Sequence, residues 1–267
     1  MSSHSLRIWL CGVSVLAAAG CANPGGVLPH ASEQVPAGVW RAGSADEPAQ
    51  SWQRWKVRRD KKETDYSVIT DDVPQADGGL RAQSVLKAIA DGSASGLRYE
   101  LSLDLKQTPL LRWQWKVSDL IADADNTRRD LEDAPVRLIL VFAGDRASLP
   151  FRERLIADQV RLLTGNELPY ATLMYIWENR QPEGSVIDNT YTSRVKMIVA
   201  QSGRAGVGQW QTRERDVVAD FERAFGEPPG RLIGVSVMTD TDNTGGHAVA
   251  YYGGFQFMAR PVATAAQ

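Results

Sequence analysis

The densest polar motif in the chain is Thr239-Asp240-Thr241-Asp242-Asn243-Thr244-Gly245-Gly246, placed directly after the apolar segment Leu232 to Met238. Oxygens at Asp240, Asp242 and Thr244 followed by glycine reproduce the first half of an EF-hand-like calcium loop, in which alternate side chains present oxygen ligands. The second half is missing, because the position that should supply a bidentate carboxylate is Tyr251. A glycine-rich turn closed by Asx hydrogen bonds uses the same residues. We adopt the turn, expect no metal site and no cofactor, and keep Asp240, Asp242 and Asn243 as contacts for a polar ligand.

A second set of candidates comes from alternation. Leu97, Tyr99, Leu101, Leu103 and Leu105 alternate with Arg98, Glu100, Ser102, Asp104 and Lys106, and Leu111, Trp113, Trp115 and Val117 alternate with Arg112, Gln114 and Lys116. Period two is the pattern of a strand with one wet face. If Thr108-Pro109 links the two segments as a hairpin, then Arg98, Glu100, Arg112, Gln114 and Lys116 share one surface suited to an anionic or hydroxyl-rich ligand. Trp113 and Trp115 fall on the side of Leu111 and Val117 and read as core. Trp177 and Trp210, close to loops, are better placed as stacking platforms for a sugar ring.

Paired carboxylates can hydrolyse glycosides, one as acid and the other as nucleophile or base. Glu178, Glu100, Asp240 and Asp242 are candidates, but among 32 acidic residues no spacing singles out a pair. The acidic run Asp123 to Asp133, interleaved with Arg128 and Arg129, reads as a solvated loop. Counting removes other chemistries. The three histidines are His4, His30 and His247, and the two cysteines are Cys11 and Cys21. The downstream domain therefore offers neither a cysteine nucleophile, nor a cysteine-rich zinc site, nor a two-histidine metal site. A net charge of −2 provides no basic field for nucleic acid.

The N-terminus carries Arg7, the apolar run Ile8 to Leu16 and the small residues Ala17 to Gly20. That is the order of a secretory signal, and its apolar run is too short to span a bilayer. Ala18-Ala19-Gly20-Cys21 resembles the lipobox of bacterial lipoproteins, with Ala18 where leucine is usual. The resemblance implies a diacylglycerol on Cys21, a membrane partner through that lipid, and a signal peptide spanning residues 1–20. Ala22 after the cysteine favours the outer membrane, facing the periplasm. Residues 21–48, rich in Gly, Pro, Ala and Ser, read as a flexible tether. Residues 49–260 read as one domain and 261–267 as a disordered tail.

Within that domain, short apolar segments recur between Gly, Pro, Asp and Asn: 52–57, 66–70, 80–86, 97–105, 111–117, 136–143, 170–177, 195–201, 232–239 and 248–257. Their length and β-branched or aromatic content predict about ten strands, hence a mainly β, jelly-roll-like sandwich. The segment 136–143 is apolar on both faces after Arg137 and predicts a central strand. Helical spacing of Phe151, Leu155, Ile156, Val160 and Leu163, and of Val217, Val218, Phe221, Ala224 and Phe225, predicts two helices covering the sandwich. Gly226 with Pro228-Pro229 ends the second.

Pro109 to Val117, Pro135-Val136-Arg137, Leu173 to Trp177, Trp210, Arg215-Asp216-Val217, Ala224-Phe225-Gly226 and above all Met238 to Thr244 resemble the bacterial domain of unknown function 3047. The resemblance covers about Trp52 to Phe257 and implies an envelope-associated protein, with no catalytic residues to transfer. The leading expectation is an envelope-anchored lipoprotein whose sandwich binds a glycan or other polar ligand. A carboxylate-dependent glycan hydrolase or lyase is the enzymatic alternative, and the sequence leans against it. A structural lipoprotein binding envelope proteins is the third.

Overall fold

Twelve strands and two helices form from these segments in the computed structural model, which describes residues 52–58, 60–164 and 167–261. In chain order they are β1 (Gln53–Lys56), β2 (Asp65–Pro74), β3 (Leu80–Asp91), β4 (Ala94–Leu103), β5 (Leu110–Val117), β6 (Arg137–Phe142), α1 (Phe151–Thr164), β7 (Ala171–Glu178), β8 (Val186–Asp188), β9 (Val195–Ser202), β10 (Gln211–Asp216), α2 (Val217–Phe225), β11 (Leu232–Asp240) and β12 (His247–Met258). The signal, Cys21, the tether and residues 262–267 of the tail lie outside the described residues.

The strands make a two-sheet sandwich. One sheet has seven strands in the order β1-β4-β11-β6-β7-β9-β8, and the other has five in the order β10-β5-β12-β3-β2. Every residue of β6 is buried, as its two-sided apolar sequence requires of a central strand. Between the sheets the alternating aromatics meet. Trp113 stacks on Tyr175 at 5.0 Å, Trp115 meets Trp113 edge-on at 5.3 Å, and Trp177 lies 6.4 Å from Trp115. Two of the three indole nitrogens find acceptors, Trp115 donating to Gln201 Oε1 at 3.1 Å and Trp177 to the Gly203 carbonyl at 2.9 Å, whereas Trp113 Nε1 is buried without a hydrogen-bond partner.

Two expectations are corrected. First, β4 and β5 do not form a hairpin: β4 pairs with β1 and β11, while β5 pairs with β10 and β12 in the opposite sheet. Alternation had identified the buried side of each strand, but it holds no information about the partner, because both inner faces of a sandwich alternate alike. Second, both helices cover the sandwich, but α1 does so through Glu153 and Ala157 rather than through the side expected, whereas α2 packs as its spacing predicts. Its Val217 and Phe221 are fully buried, Phe221 packs 4.6 Å from Phe142, and Gly226 ends it at φ 73°, the left-handed conformation glycine adopts without strain. In α1, Phe151 and Leu155, expected to face the core, are exposed instead.

The hairpin β2–β3 extends past its sheet. The two strands stay paired along their whole length, from Asp65 with Ile89 to Pro74 with Leu80, whereas β12 supports β3 only over Leu86 to Asp91. The unsupported part, residues 69–85, forms an arm that folds back over the outer face of the five-stranded sheet. Its own Val73 and Val85 are completely buried.

Candidate functional site

Two groups of polar side chains are assembled from distant parts of the chain. The first lies where β11 runs out, at residues 240–246. Backbone hydrogen bonds tie this loop to Ser93, through Thr241 N, and to Ala134, through Asp240 N. Arg137 opens the otherwise apolar β6, so its guanidinium must find partners inside the protein. Its Nε donates to Asp240 Oδ1 at 2.7 Å and its Nη2 to Asp240 Oδ2 at 2.9 Å, a bidentate fork in which the two side chains are only 3% and 4% exposed. Nη2 also donates to the Glu132 carbonyl at 2.8 Å.

Asp133 braces the turn itself. Its Oδ2 accepts from both the amide and the hydroxyl of Thr244 at 2.7 Å, and its Oδ1 accepts from the Asn243 amide at 3.2 Å. Asp242 pairs with Lys61 at 2.5 Å. The Asn243 side chain donates to the Glu132 carbonyl at 3.1 Å. The expected solvated loop at 123–133 thus ends in a fully buried carboxylate. The physical reason is that the turn's amides need acceptors once the loop packs against them.

One oxygen from each of Asp133, Asp240 and Asp242 lies within 4.8 Å of the others, close enough to ligate one divalent ion. In the structure the chain supplies its own cations. Four carboxylates, Glu132, Asp133, Asp240 and Asp242, face two cations, Arg137 and Lys61, and burial more than the surplus of acids sets the titration. Burial pushes Asp240 up to about 7, the Asp133 charge adds to it, and Arg137 opposes both. Burial also raises Glu132 against the pull of Arg137. For Arg137, burial works against the charge, but Asp240 outweighs it and the guanidinium is held charged. The arrangement pins a turn. Asp240, 3% exposed, offers no face to a substrate.

The second group lies on the outer face of the five-stranded sheet, beneath the arm. Lys116 is ion-paired with Asp71 of the arm and sits 4.4 Å from the centre of the Tyr251 ring and 5.1 Å from that of Trp210. Trp210 Nε1 donates to Asp71 Oδ2 at 3.2 Å. Gln114 donates to the Pro74 carbonyl at 2.7 Å, and Arg112 pairs with Glu214 at 2.7 Å across the β5–β10 ladder. Burial raises the Asp71 carboxyl, but the Lys116 hydrogen bond and charge bring it below the ordinary range.

The expected five-residue row is therefore divided. Arg112, Gln114 and Lys116 share this face, whereas Arg98 and Glu100 lie on the seven-stranded sheet and pair with each other at 3.5 Å. Trp177 is fully buried, because β7 is covered on both faces, and offers no platform. Glu178 is 1% exposed and accepts from the Arg180 and Gln181 amides, which makes it a turn brace. Trp210 keeps a half-buried ring at the sheet face.

Sequence reasoning passed over several residues of these networks. Arg137 carried the clearest signal: a lone cation inside an apolar strand implies a buried counter-charge. Asp71 gave none, since its partner lies 45 residues away. A third network, also passed over, links Tyr175, Arg215 and Arg223 to Asp220 at the start of α2.

The chain matches the family model described as Protein of unknown function (DUF3047) over residues 50–256. It belongs to this family. No curated protein matches the sequence. Among solved structures, this DUF3047 member is similar to the glycoside hydrolase domain of Endo-D from Streptococcus pneumoniae R6, at 10% identity and a TM-score of 0.36, covering 79% of this chain and 22% of that one. It is similar to SGBP-B from a xyloglucan utilization locus in Bacteroides uniformis, at 12% identity and 0.32, over 79% and 48% of the two chains. The family 11 xylanase from Neocallimastix patriciarum matches at 8% identity and 0.32, over 78% and 100%.

Proposed function

We propose that this DUF3047 protein is a bacterial envelope lipoprotein anchored through Cys21, and that its sandwich binds an envelope glycan or related polar ligand on the outer face of the five-stranded sheet. One observation carries the binding site. Trp210 and Tyr251, with ring centres 6.4 Å apart, flank Lys116 on a face that also carries Gln114 and Arg112. Half-buried aromatic rings beside hydrogen-bonding side chains suit a ligand with apolar C–H faces and a hydroxyl rim. The acidic groups favour binding over hydrolysis, since Asp240 and Glu178 are enclosed and Glu100 lies on the other sheet.

The test is a thermal-shift screen of the full chain against cell-wall and capsular oligosaccharides. A ligand at a hundred times its Kd stabilises by about 2.7 kcal/mol. Arg112→Ala and Trp210→Ala are then expected to fold and to lose the shift. An unchanged shift in both variants removes this face as the site, and product in the wells turns the reading to an enzyme. For the anchor, Cys21→Ser is expected to abolish acyl labelling, and continued labelling ends the lipoprotein assignment.

A further inference from the structure

We infer that the glycan taken by the outer face of the five-stranded sheet is acidic, and that Asp71 of the arm stands, in the free protein, where one of its carboxylates binds. The inference rests on the glycan reading of that face and names the class of glycan. Tyr251 of β12 is in register with Lys116 of β5 on one side and with Lys87 of β3 on the other. Residues directly opposite one another project from the same face of a sheet. The outer face therefore carries a Lys–Tyr–Lys row across three adjacent strands.

The two lysines differ in their partners. Lys116 is clamped by Asp71 Oδ2, and Trp210 Nε1 donates to the same oxygen at 3.2 Å. Asp71 reaches them from the part of the β2–β3 hairpin that β12 does not support, so this pair of donors already shows how the face holds a carboxylate that comes to it from outside the sheet. Lys87 is half-buried and has no hydrogen bond or ion pair among the described residues. The acid diagonal to it, Asp65 of β2, is exposed and forms no ion pair with it. A second carboxylate on the ligand supplies the counter-charge that Lys87 lacks. The exchange also discriminates between ligands. An incoming carboxylate replaces that of Asp71 one for one, and Lys116 and Trp210 keep an acceptor. A neutral sugar that pushed Asp71 aside would leave the Lys116 ammonium unpaired, so the arm selects against it.

Calorimetric titration of the full chain with oligogalacturonate and oligomannuronate, and with the methyl esters of both, tests this, since acid and ester share rings and hydroxyls and differ in charge. The acids are expected to bind about fivefold tighter than their esters, and the preference to disappear in Lys87→Gln/Lys116→Gln, whose side chains lie at the surface of the sheet. Asp71→Asn, which removes the internal competitor, is expected to tighten the acids by more than the esters. Equal affinity for acid and ester, or a preference that survives the double lysine change, overturns the inference and leaves the glycan reading standing. Equal tightening of both by Asp71→Asn overturns the role of Asp71 as a stand-in. If neither probe binds while a neutral oligosaccharide gives a thermal shift that Trp210→Ala removes, the ligand is not acidic; with no shift from any oligosaccharide, the glycan reading falls as well.

Discussion

Arg137–Asp240 and Lys116–Asp71 are the same kind of bond in two different places. Each joins residues far apart in sequence and holds a loop or arm against the sandwich. The first is sealed, with side chains 3% and 4% exposed, while the second keeps 18% and 28%. Burial decides what each can do. In the sealed pair it raises the carboxyl to about 7 and makes the loss of one partner alone costly. In the open pair solvent screens the charges, the carboxyl lies below its ordinary range, and the contact can form and break. The end of β11 is therefore framework, and the arm over the five-stranded sheet is the more weakly held of the two.

The largest effect is expected where a cation is withdrawn from a sealed acid. Arg137→Met leaves Asp240 buried without its partner and should cost about 3–5 kcal/mol in urea unfolding. The double change Arg137→Met/Asp240→Leu should recover much of that loss, because a buried pair is often replaceable by apolar groups of similar size. A small loss in the single variant would place the pair in contact with water and end the contrast drawn above.

The pH dependence sharpens the same comparison, because the two acids move in opposite directions. Asp240 rises from 3.8 to about 7 on folding, so its contribution is fully present below the lower value and is lost as pH rises through the higher one. Asp71 falls below its ordinary value, so its contribution is present above that value and is lost as pH drops. Unfolding midpoints should decline between pH 4 and 7 by an amount that Asp240→Asn reduces. An unchanged slope in Asp240→Asn would assign the decline to other groups.

An intermediate case lies at Asp220, 6% exposed on its side chain, which Arg215, Arg223 and Tyr175 share. Arg215→Met removes a charged hydrogen-bond partner but leaves two others, so a loss of about 2 kcal/mol is expected in the same urea experiment. A cost equal to that of Arg137→Met would mean that the remaining donors do not compensate, and that burial of the acid alone sets the scale.

The sandwich was legible in the chain because period-two alternation survives wherever one face is buried. Alternation marked the buried side of β4 and β5, and the length and β-branched or aromatic content of short apolar segments foresaw ten of the twelve strands; the two overlooked show where such signals fail. β10, Gln-Thr-Arg-Glu-Arg-Asp, is an edge strand whose inner positions are arginines that reach Glu183 and Asp220, so it carries no apolar rhythm. β8 is three residues long. The polar turn at 239–246 was recognised as a turn from its residues, but its brace, Asp133, was hidden in an acidic run that composition alone reads as surface. The site face was half legible. Lys116 and Gln114 were placed on the outer side correctly, whereas the arm that covers them follows from where β3 leaves β12, which no local pattern encodes.

The smallest effect on stability, and the most informative about the ligand face, is expected from Lys116→Met. The substitution removes the ion pair to Asp71 and the contacts over Tyr251 and Trp210, while Gln114 still holds the Pro74 carbonyl. Exposed or partly exposed pairs contribute about 0–1 kcal/mol, so global unfolding should shift little. The arm should respond far more. Amides of residues 69–85 that β12 does not support are expected to exchange faster in hydrogen exchange, with the rest of the sandwich unchanged. If the arm stays as protected as in the wild type, Val73 and Val85 hold it shut without the clamp, and the outer sheet face is as much framework as the end of β11. If it opens, the same variant should bind a glycan on that face with altered affinity, which separates a clamp that merely covers the sheet from one that gates it.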